Sequence, residues 1–410
     1  MAAGLRPAEP PALRAAPRSG AGEPWGIYAA VPFCRAKCSF CNFASGVFAP
    51  ALWPRYLAAL EREVGLTLTA VAPGTRPAAD TIYWGGGTPT LLPPADLTAL
   101  AKMLRGAFSV AAGAEFTCEA MPGTVDAAVC AAMAEAGINR VSLGVQSWLP
   151  EEARRVGRNH TPASIRSDLA RLRACGLGNL SLDLIAGLPG QTAASWRESV
   201  RRTVDSGVPH VSVYLFELDA ESRLGAEILA GGTRYGAAEM PDPDETADWY
   251  EAAAETLGQA GLAQYEISNF ARPGFASRHN ERYWLRRPYL GFGLEAHSFL
   301  RQPEARRWGN TADMREYLTA VEAGRPPVAE QTALTPAQAL EEALFLGLRR
   351  NAGVEWAALR EEFGGEPVES KQVVAAELAA AGCLEERNGQ VALTARGRLL
   401  ANEVFERFLA

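Results

Sequence analysis

The sequence predicts an α/β fold, a partial (β/α)6 TIM-type barrel followed by a smaller C-terminal α+β domain of winged-helix type. Three observations carry that expectation. From Tyr28 onward, six short apolar stretches alternate with helical ones. Beyond about Glu217 the alternation fades into loops, and from about Thr335 a helix–helix–helix–hairpin pattern takes over. Strand–helix repeats close into a parallel sheet through right-handed crossovers. Six repeats are too few for an eight-fold barrel, so a partial one is expected, with its chemistry at the C-terminal strand ends.

The candidate strands are Ile27–Val31, Thr81–Trp84, Glu115–Glu119, Arg140–Gly144, Leu180–Ala186 and Val211–Leu215. The helices between them are punctuated by start and stop residues. One starts at Pro54, and another at Asp96 follows Pro93-Pro94. A third runs from Thr124, as N-cap, to Gly137, a fourth ends at Gly176, and a fifth spans Thr192 to Gly207. In the C-terminal part, helices at Pro336–Arg349, Glu355–Phe363 and Ser370–Ala381 precede a hairpin at Cys383–Leu393. Four regions follow: a disordered tail (1–24), the barrel core (25–240), an extension rich in Arg, Asn and aromatics (241–330) and the C-terminal domain (331–410).

With 410 residues, 48% of them hydrophobic, the chain can bury a large core. A net charge of −7 offers no basic field to nucleic acid, and the C-terminal domain lacks a Lys/Arg face. No apolar run approaches the roughly 18 residues that would cross a bilayer. Seven cysteines, an odd and uneven set without a signal peptide, fit reduced thiols and a cytoplasmic protein. Arginine in the tail says little about targeting, because the whole chain prefers Arg and has only Lys37, Lys102 and Lys371.

The first strand runs into Cys34-Arg-Ala-Lys-Cys38-Ser-Phe-Cys41. A loop this short can wrap three thiolates around a 4Fe–4S cube, leaving one iron open to a small ligand. Structural zinc is the rival metal, but it usually takes four protein ligands, often as two C-x-x-C knuckles, and no second knuckle is present. Chance burial of three cysteines is the remaining alternative. Cys118, Cys130, Cys175 and Cys383 sit among apolar residues and read as core.

The second strand ends in GGGTPT (85–90), where Gly86, Gly87 and Thr88 would let backbone approach a ligand closely or would simply turn the chain. Three later strand ends carry Glu119, Gln146 and Asp183. Asp183 is flanked by apolar residues, which is costly unless it is paired or bound. Arg158 could supply the opposite charge, either in an internal salt bridge or at a ligand.

At the cysteine loop the sequence resembles the radical S-adenosylmethionine superfamily, whose C-x3-C-x-Φ-C signature places an aromatic, here Phe40, before the last cysteine. The resemblance implies S-adenosylmethionine on the open iron. It also implies cofactor contacts from Tyr28, Phe40, Gly86, Gly87, Thr88, Glu119, Gln146, Arg158 and Asp183. GGGTPT, SLGVQSW, GRNHT, DLIAGLPGQT, YEISNFARPG, SRHNERYW and YLGFGLEAHSF extend the likeness. They resemble the branch that holds oxygen-independent coproporphyrinogen III oxidase and its heme-chaperone paralogue.

Phe43 stands where the oxidase has a further cysteine, and the oxidase's longer structured N-terminal segment has no counterpart in the tail. His279-Asn-Glu-Arg-Tyr283-Trp284 matches the H-N-x-x-Y-W motif of the chaperone. The motif offers His279 as an axial iron ligand and Tyr283 and Trp284 as stacking walls, or else a buried loop whose aromatics only pack. Phe275 adds a wall, and Arg278, Arg282, Arg286 and Arg287 add cations for propionates. His297 is a second candidate ligand, and His160 and His210 complete the set of histidines.

The function expected is therefore that of a heme chaperone with a 4Fe–4S cluster and S-adenosylmethionine, delivering heme to an acceptor protein. The alternatives are a radical oxidoreductase acting on a porphyrinogen and, from another class, a zinc-stapled interaction protein. Coproporphyrinogen oxidase activity is not expected. The partners implied are an electron donor such as flavodoxin or ferredoxin, peripheral contact with membrane heme proteins, and a ligand-dependent second copy.

Overall fold

The structure, a computed structural model, describes residues 22–301 and 304–409. The expected tail lies outside the described residues except for its last three positions. A 12-stranded sheet dominates the architecture. Its centre is six strands in parallel, namely β1 Trp25–Val31, β2 Ala78–Gly86, β3 Ser109–Ala120, β4 Arg140–Gln146, β5 Asn179–Ala186 and β6 His210–Leu215. The crossovers are α1 Trp53–Val71, α2 Pro94–Ala107, α3 Ala127–Ala136, α4 Pro150–Arg155, α5 Pro162–Ala174 and α6 Ala193–Asp205.

Local chemistry explains the helix starts. Thr161 and Thr192 each form a capping box with the serine three residues on, Ser164 and Ser195. The cap of α3 is Asp126, whose carboxylate accepts from Val129 N, and not Thr124 as expected. The Thr124 hydroxyl is already committed to Met121 O at 2.6 Å. Gly137 ends α3 at φ 80°, a conformation that favours glycine.

Strand alternation sorts the residues into two faces. Ile27, Ala29, Val31, Ile82, Trp84, Phe116, Cys118, Val141, Leu143, Leu182 and Val211 are buried in one continuous apolar core. The opposite face presents Tyr28, Thr81, Tyr83, Glu115, Glu119, Arg140, Ser142, Asp183 and His210. These groups are mostly buried as well, and most are hydrogen-bonded to one another or to the segment that covers them. The concave face is therefore a polar interior, unlike the branched aliphatic layers that fill a complete eight-fold barrel.

The extension that reads as loops in the sequence supplies the other strands of the same sheet. After α7 Arg223–Leu229 and α8 Pro243–Gln259 come β7 Ala263–Gln264 and β8 Asn269–Ala271, which add antiparallel to the β6 edge. After α9 Arg278–Trp284, β9 Tyr289–Phe292 pairs in parallel with β1. β10 His297–Leu300, β11 Arg306–Asn310 and, beyond α10 Met314–Glu322, β12 Val328–Ala333 continue outward antiparallel. The strand order runs β12-β11-β10-β9-β1-β2-β3-β4-β5-β6-β8-β7, so the sheet curls without closing. These strands are two to six residues long, too short for period-two alternation to be visible.

The C-terminal part has a core of its own, with Leu340, Leu344, Trp356, Val368, Val391 and Phe408 buried together. Helices α11 Pro336–Gly347, α12 Trp356–Phe363 and α13 Gly365–Ala380 precede the hairpin β14 Leu384–Arg387 and β15 Gln390–Leu393, and β13 Val354–Glu355 joins β15. Helix α13 begins five residues before the expected Ser370, because Pro367 falls in its first turn, where no backbone N–H is needed. Cys118, Cys130 and Cys383 are buried as expected, but Cys175 is exposed because it terminates α5 at the surface. No helix among the described residues is long and apolar enough to cross a membrane.

Candidate functional site

The cysteine loop lies at the C-terminal end of β1 and is held in place mainly by backbone. Cys34 N donates to Gly46 O at 2.9 Å and Gly46 N to Pro32 O at 2.9 Å. Thr88 N donates to Phe33 O at 2.8 Å, and Ala44 N donates to the Glu295 carboxylate at 2.6 Å. All three thiols are free, and burial pushes the Cys34 thiol up. Among the described residues no three His, Cys, Asp or Glu side chains converge as a single-ion site. A cube gives each thiolate its own iron, so its ligands need not meet at one point.

The glycine segment against this loop has no room for side chains. A Cβ on Gly87 would come within 2.7 Å of Val31 O and 2.8 Å of Phe33 N, and one on Gly85 within 2.9 Å of the Glu119 carboxylate. Gly86, at φ 90°, packs beneath the Tyr28 hydroxyl. Backbone therefore reaches the loop directly.

The predicted polar residues converge on the same mouth. Glu119 accepts from Tyr83 OH at 2.8 Å, and burial, more than the nearby Asp183, raises its carboxyl to about 7. Asp183 is likewise raised by burial and accepts from Ser142 Oγ at 3.0 Å. Arg158 forms no ion pair with Asp183. Its guanidinium donates to Gly144 O at 2.6 Å and lies 5.9 Å from the centre of the Phe40 ring. Phe40 packs on the apolar cluster of Val156, Ile185 and Leu188. Gln146 ends β4 at φ 62°, a strained region for a non-glycine residue, and its buried Oε1 has no partner. An orphaned acceptor together with buried carboxyls fits a ligand that brings hydroxyl and ammonium donors, as S-adenosylmethionine does.

The H-N-x-x-Y-W segment forms α9, which covers the concave face. Its first turn donates to a carboxylate absent from the sequence expectations, Glu115, which accepts from Arg278 N at 3.0 Å and His279 N at 2.9 Å. Glu115 could have been noticed only as a charge inside an apolar strand. His279 is fully buried and stacks on Tyr83 with ring centres 5.2 Å apart. Its Nδ1 lies 2.9 Å from Thr81 Oγ1 and its Nε2 2.7 Å from Tyr283 OH. Burial, with Arg282 and Arg140 nearby, lowers its pKa to about 3, so the ring is neutral. Both ring nitrogens are within hydrogen-bond distance of a hydroxyl, one from Thr81 and one from Tyr283.

The arginines around it are also engaged. Arg282 pairs with Asp80, Arg286 with Glu342 at 2.9 Å and Arg287 with Glu23 at 3.2 Å, and Arg278 lies 3.7 Å from Asp80. Arg282 and Arg286 are buried in these pairs, whereas the side chains of Arg278 and Arg287 stay about half exposed. The Arg349 guanidinium lies 4.4 Å from the ring centre of Trp284. Tyr283 does face a cavity of about 440 Å³. That cavity also touches Tyr28 and Gly86, Asn42 to Ala44 of the cysteine loop, and Tyr289, Leu294 and His297.

A curled parallel sheet with a three-cysteine loop and a glycine strand end at its mouth defines a radical S-adenosylmethionine protein. The model of the radical SAM superfamily matches residues 28–203, and that of the HemN C-terminal domain matches residues 334–400. The heme chaperone HemW of Bacillus subtilis is 32% identical over 93% of this chain and 98% of its own. The Mycobacterium tuberculosis protein of the same name is 34% identical over 98% of both. Coproporphyrinogen III oxidase (HemN) from Escherichia coli is a structural neighbour with TM-score 0.81 and 25% identity, covering 94% of this chain and 90% of that one. The chain belongs to the HemW family.

Proposed function

We propose that this protein is a heme chaperone that binds heme and passes it to an acceptor protein, carrying a 4Fe–4S cluster and S-adenosylmethionine at the strand ends. The observation that carries the proposal is the cavity that opens beside the glycine strand end, walled by Phe43, Tyr283 and Tyr289. It has the mixed aromatic and polar lining, and the volume, of a ligand pocket. Cys34, Cys38 and Cys41 would hold the cluster. Gly86, Gly87, Thr88, Glu119, Gln146 and Asp183 would hold S-adenosylmethionine, with Tyr28, Phe40 and Arg158 bordering it. When bound, the cluster supplies the single electron that S-adenosylmethionine chemistry uses, drawn from a donor such as flavodoxin or ferredoxin. A cytoplasmic chaperone would reach its acceptors, membrane heme proteins among them, by peripheral contact, and heme would promote pairing with a second copy.

The fold of the Escherichia coli oxidase favours a second reading, a radical oxidoreductase acting on a porphyrinogen. Phe43 argues against it, since that residue is exposed and forms part of the cavity wall. One sample decides between them. Protein reconstituted anaerobically is titrated with heme and, in parallel, assayed with coproporphyrinogen III. Heme uptake without conversion to protoporphyrinogen IX is expected. Rapid turnover would establish the oxidoreductase instead.

A further inference from the structure

The seven cysteines of the chain divide into three kinds. Cys34, Cys38 and Cys41 form the loop already described. Cys118 and Cys383 are buried, and each thiol donates to a backbone carbonyl, that of Glu119 at 3.4 Å and that of Ala381 at 3.9 Å. Cys130 and Cys175 remain, and two neighbouring crossovers of the barrel bring them together.

Helix α5 turns the face that bears Asp168, Arg171 and Cys175 toward α3, because residues three, four and seven apart share a helix face. The Asp168 carboxylate accepts from Gly123 N at 2.5 Å, and Arg171 donates to Val125 O at 3.1 Å and to Asp168 at 3.2 Å. These contacts hold α5 against the segment that leads into α3. One turn further along both helices, Cys130 is fully buried and Cys175, the cap of α5, is exposed. The Cys130 thiol hydrogen-bonds the Cys175 sulfur, and burial first and this bond second push it up to about 12. Cys130 therefore stays protonated, and Cys175 is the thiol that solvent reaches. Gly176, at φ 83°, and Gly178 follow it, and a Cβ on either would meet nothing within 4 Å. The end of α5 thus has room to adjust.

We infer that Cys130 and Cys175 are a redox pair that closes to a disulfide between α3 and α5 when a low-molecular-weight disulfide oxidises the protein. The Cys175 thiolate attacks one sulfur of that oxidant, whose S–S bond breaks and releases a first thiolate. Cys130 then attacks the Cys175 sulfur of the mixed disulfide and gives its proton to the second departing thiolate. Two protein thiols are oxidised, and one small disulfide is reduced to two thiols. In a chain whose other cysteines fit a reducing compartment, such a bond is a reversible sensor and not a fixed staple. The bridge closes residues 131–174 into a loop that contains β4, Gln146 and Arg158, and so fastens that part of the barrel. Its formation does not depend on what the barrel binds.

The test equilibrates full-length, cluster-loaded protein with glutathione redox buffers in the absence of oxygen. Alkylation, peptide mapping and thermal melts follow, for wild type and Cys175→Ser, with iron and sulfide counted in each. Oxidised wild type is expected to yield linked peptides carrying Cys130 and Cys175 and to melt about 5 °C or more above the reduced form. Cys175→Ser should give no linked peptide and no such rise. Wild-type Cys175 that stays free, or stops at the mixed disulfide with glutathione across the whole series, would overturn the pairing. A linked peptide without a rise in melting temperature would overturn the fastening of the barrel.

Discussion

The imidazole of His279 and the hydroxyl of Tyr283, one helical turn apart on α9, are joined by a 2.7 Å hydrogen bond that links the buried polar interior to the cavity wall. On the interior side His279 stacks on Tyr83, which donates to Glu119, and on the other side Tyr283 packs edge-on against Tyr289 at 4.6 Å. The motif thus braces Glu119 and the cavity at once.

That bracing makes His279→Ala a stability variant. It removes a buried ring and leaves the Thr81 and Tyr283 hydroxyls without a partner. A loss on the order of 3 kcal/mol in urea unfolding is expected. A variant of unchanged stability would contradict the placement of His279.

The cysteine loop gives a second expectation. Anaerobically purified protein should be brown and hold about four irons and four sulfides per chain. Serine at Cys34, Cys38 or Cys41 should bleach it, while serine at the buried Cys118 or Cys383 should not. Stoichiometric zinc without sulfide would refute the cluster assignment.

The contrast between these two sites shows what was legible in the sequence. The six parallel strands and the C-terminal module were readable because each element carries several periods of its pattern, and the cysteine loop because its ligands are neighbours in the chain. The strands after Glu217 were not, since β7 to β12 take their meaning from the edges they join. The burial of His279 was also hidden. It depends on Thr81 and Glu115, which lie 198 and 164 residues away in the chain. A motif shows which side chains travel together, but exposure is settled by the partner surface.

Gln146 offers a test of strain held for binding. Its φ of 62° costs about 1 kcal/mol or more for a residue with a Cβ, and glycine adopts that backbone freely. Gln146→Gly should therefore leave the cofactor-free protein as stable as wild type or more so in thermal melts. Equilibrium dialysis of the cluster-loaded variant should show weaker S-adenosylmethionine binding, because the acceptor at Oε1 is gone. Wild-type affinity in that variant would show that Gln146 is not a cofactor contact.

The raised carboxyl of Glu119 predicts a pH dependence whose sign can be worked out. Its pKa goes from 4.5 to about 7 on folding, mainly through burial, so the folded state holds the proton more tightly than the unfolded chain. Its contribution to stability is complete below 4.5 and is lost as pH rises through about 7. Glu63, held by Tyr317, Gly293 and Asn310 and also raised to about 7, acts in the same direction. The buried neutral histidines act oppositely, losing stability as pH falls below 6.5. A wild-type profile alone would therefore mix the two. The difference between wild type and Glu119→Gln removes the common terms, provided both are measured cluster-free and unfolded with urea from pH 5 to 8. Glutamine keeps the Tyr83 hydroxyl as donor to its carbonyl and never ionises. The variant should therefore gain on wild type as pH rises, by an amount on the order of a few kcal/mol between the two ends. A difference that stays flat across that range would mean that Glu119 is ionised in the folded protein, and so already paired before any cofactor arrives.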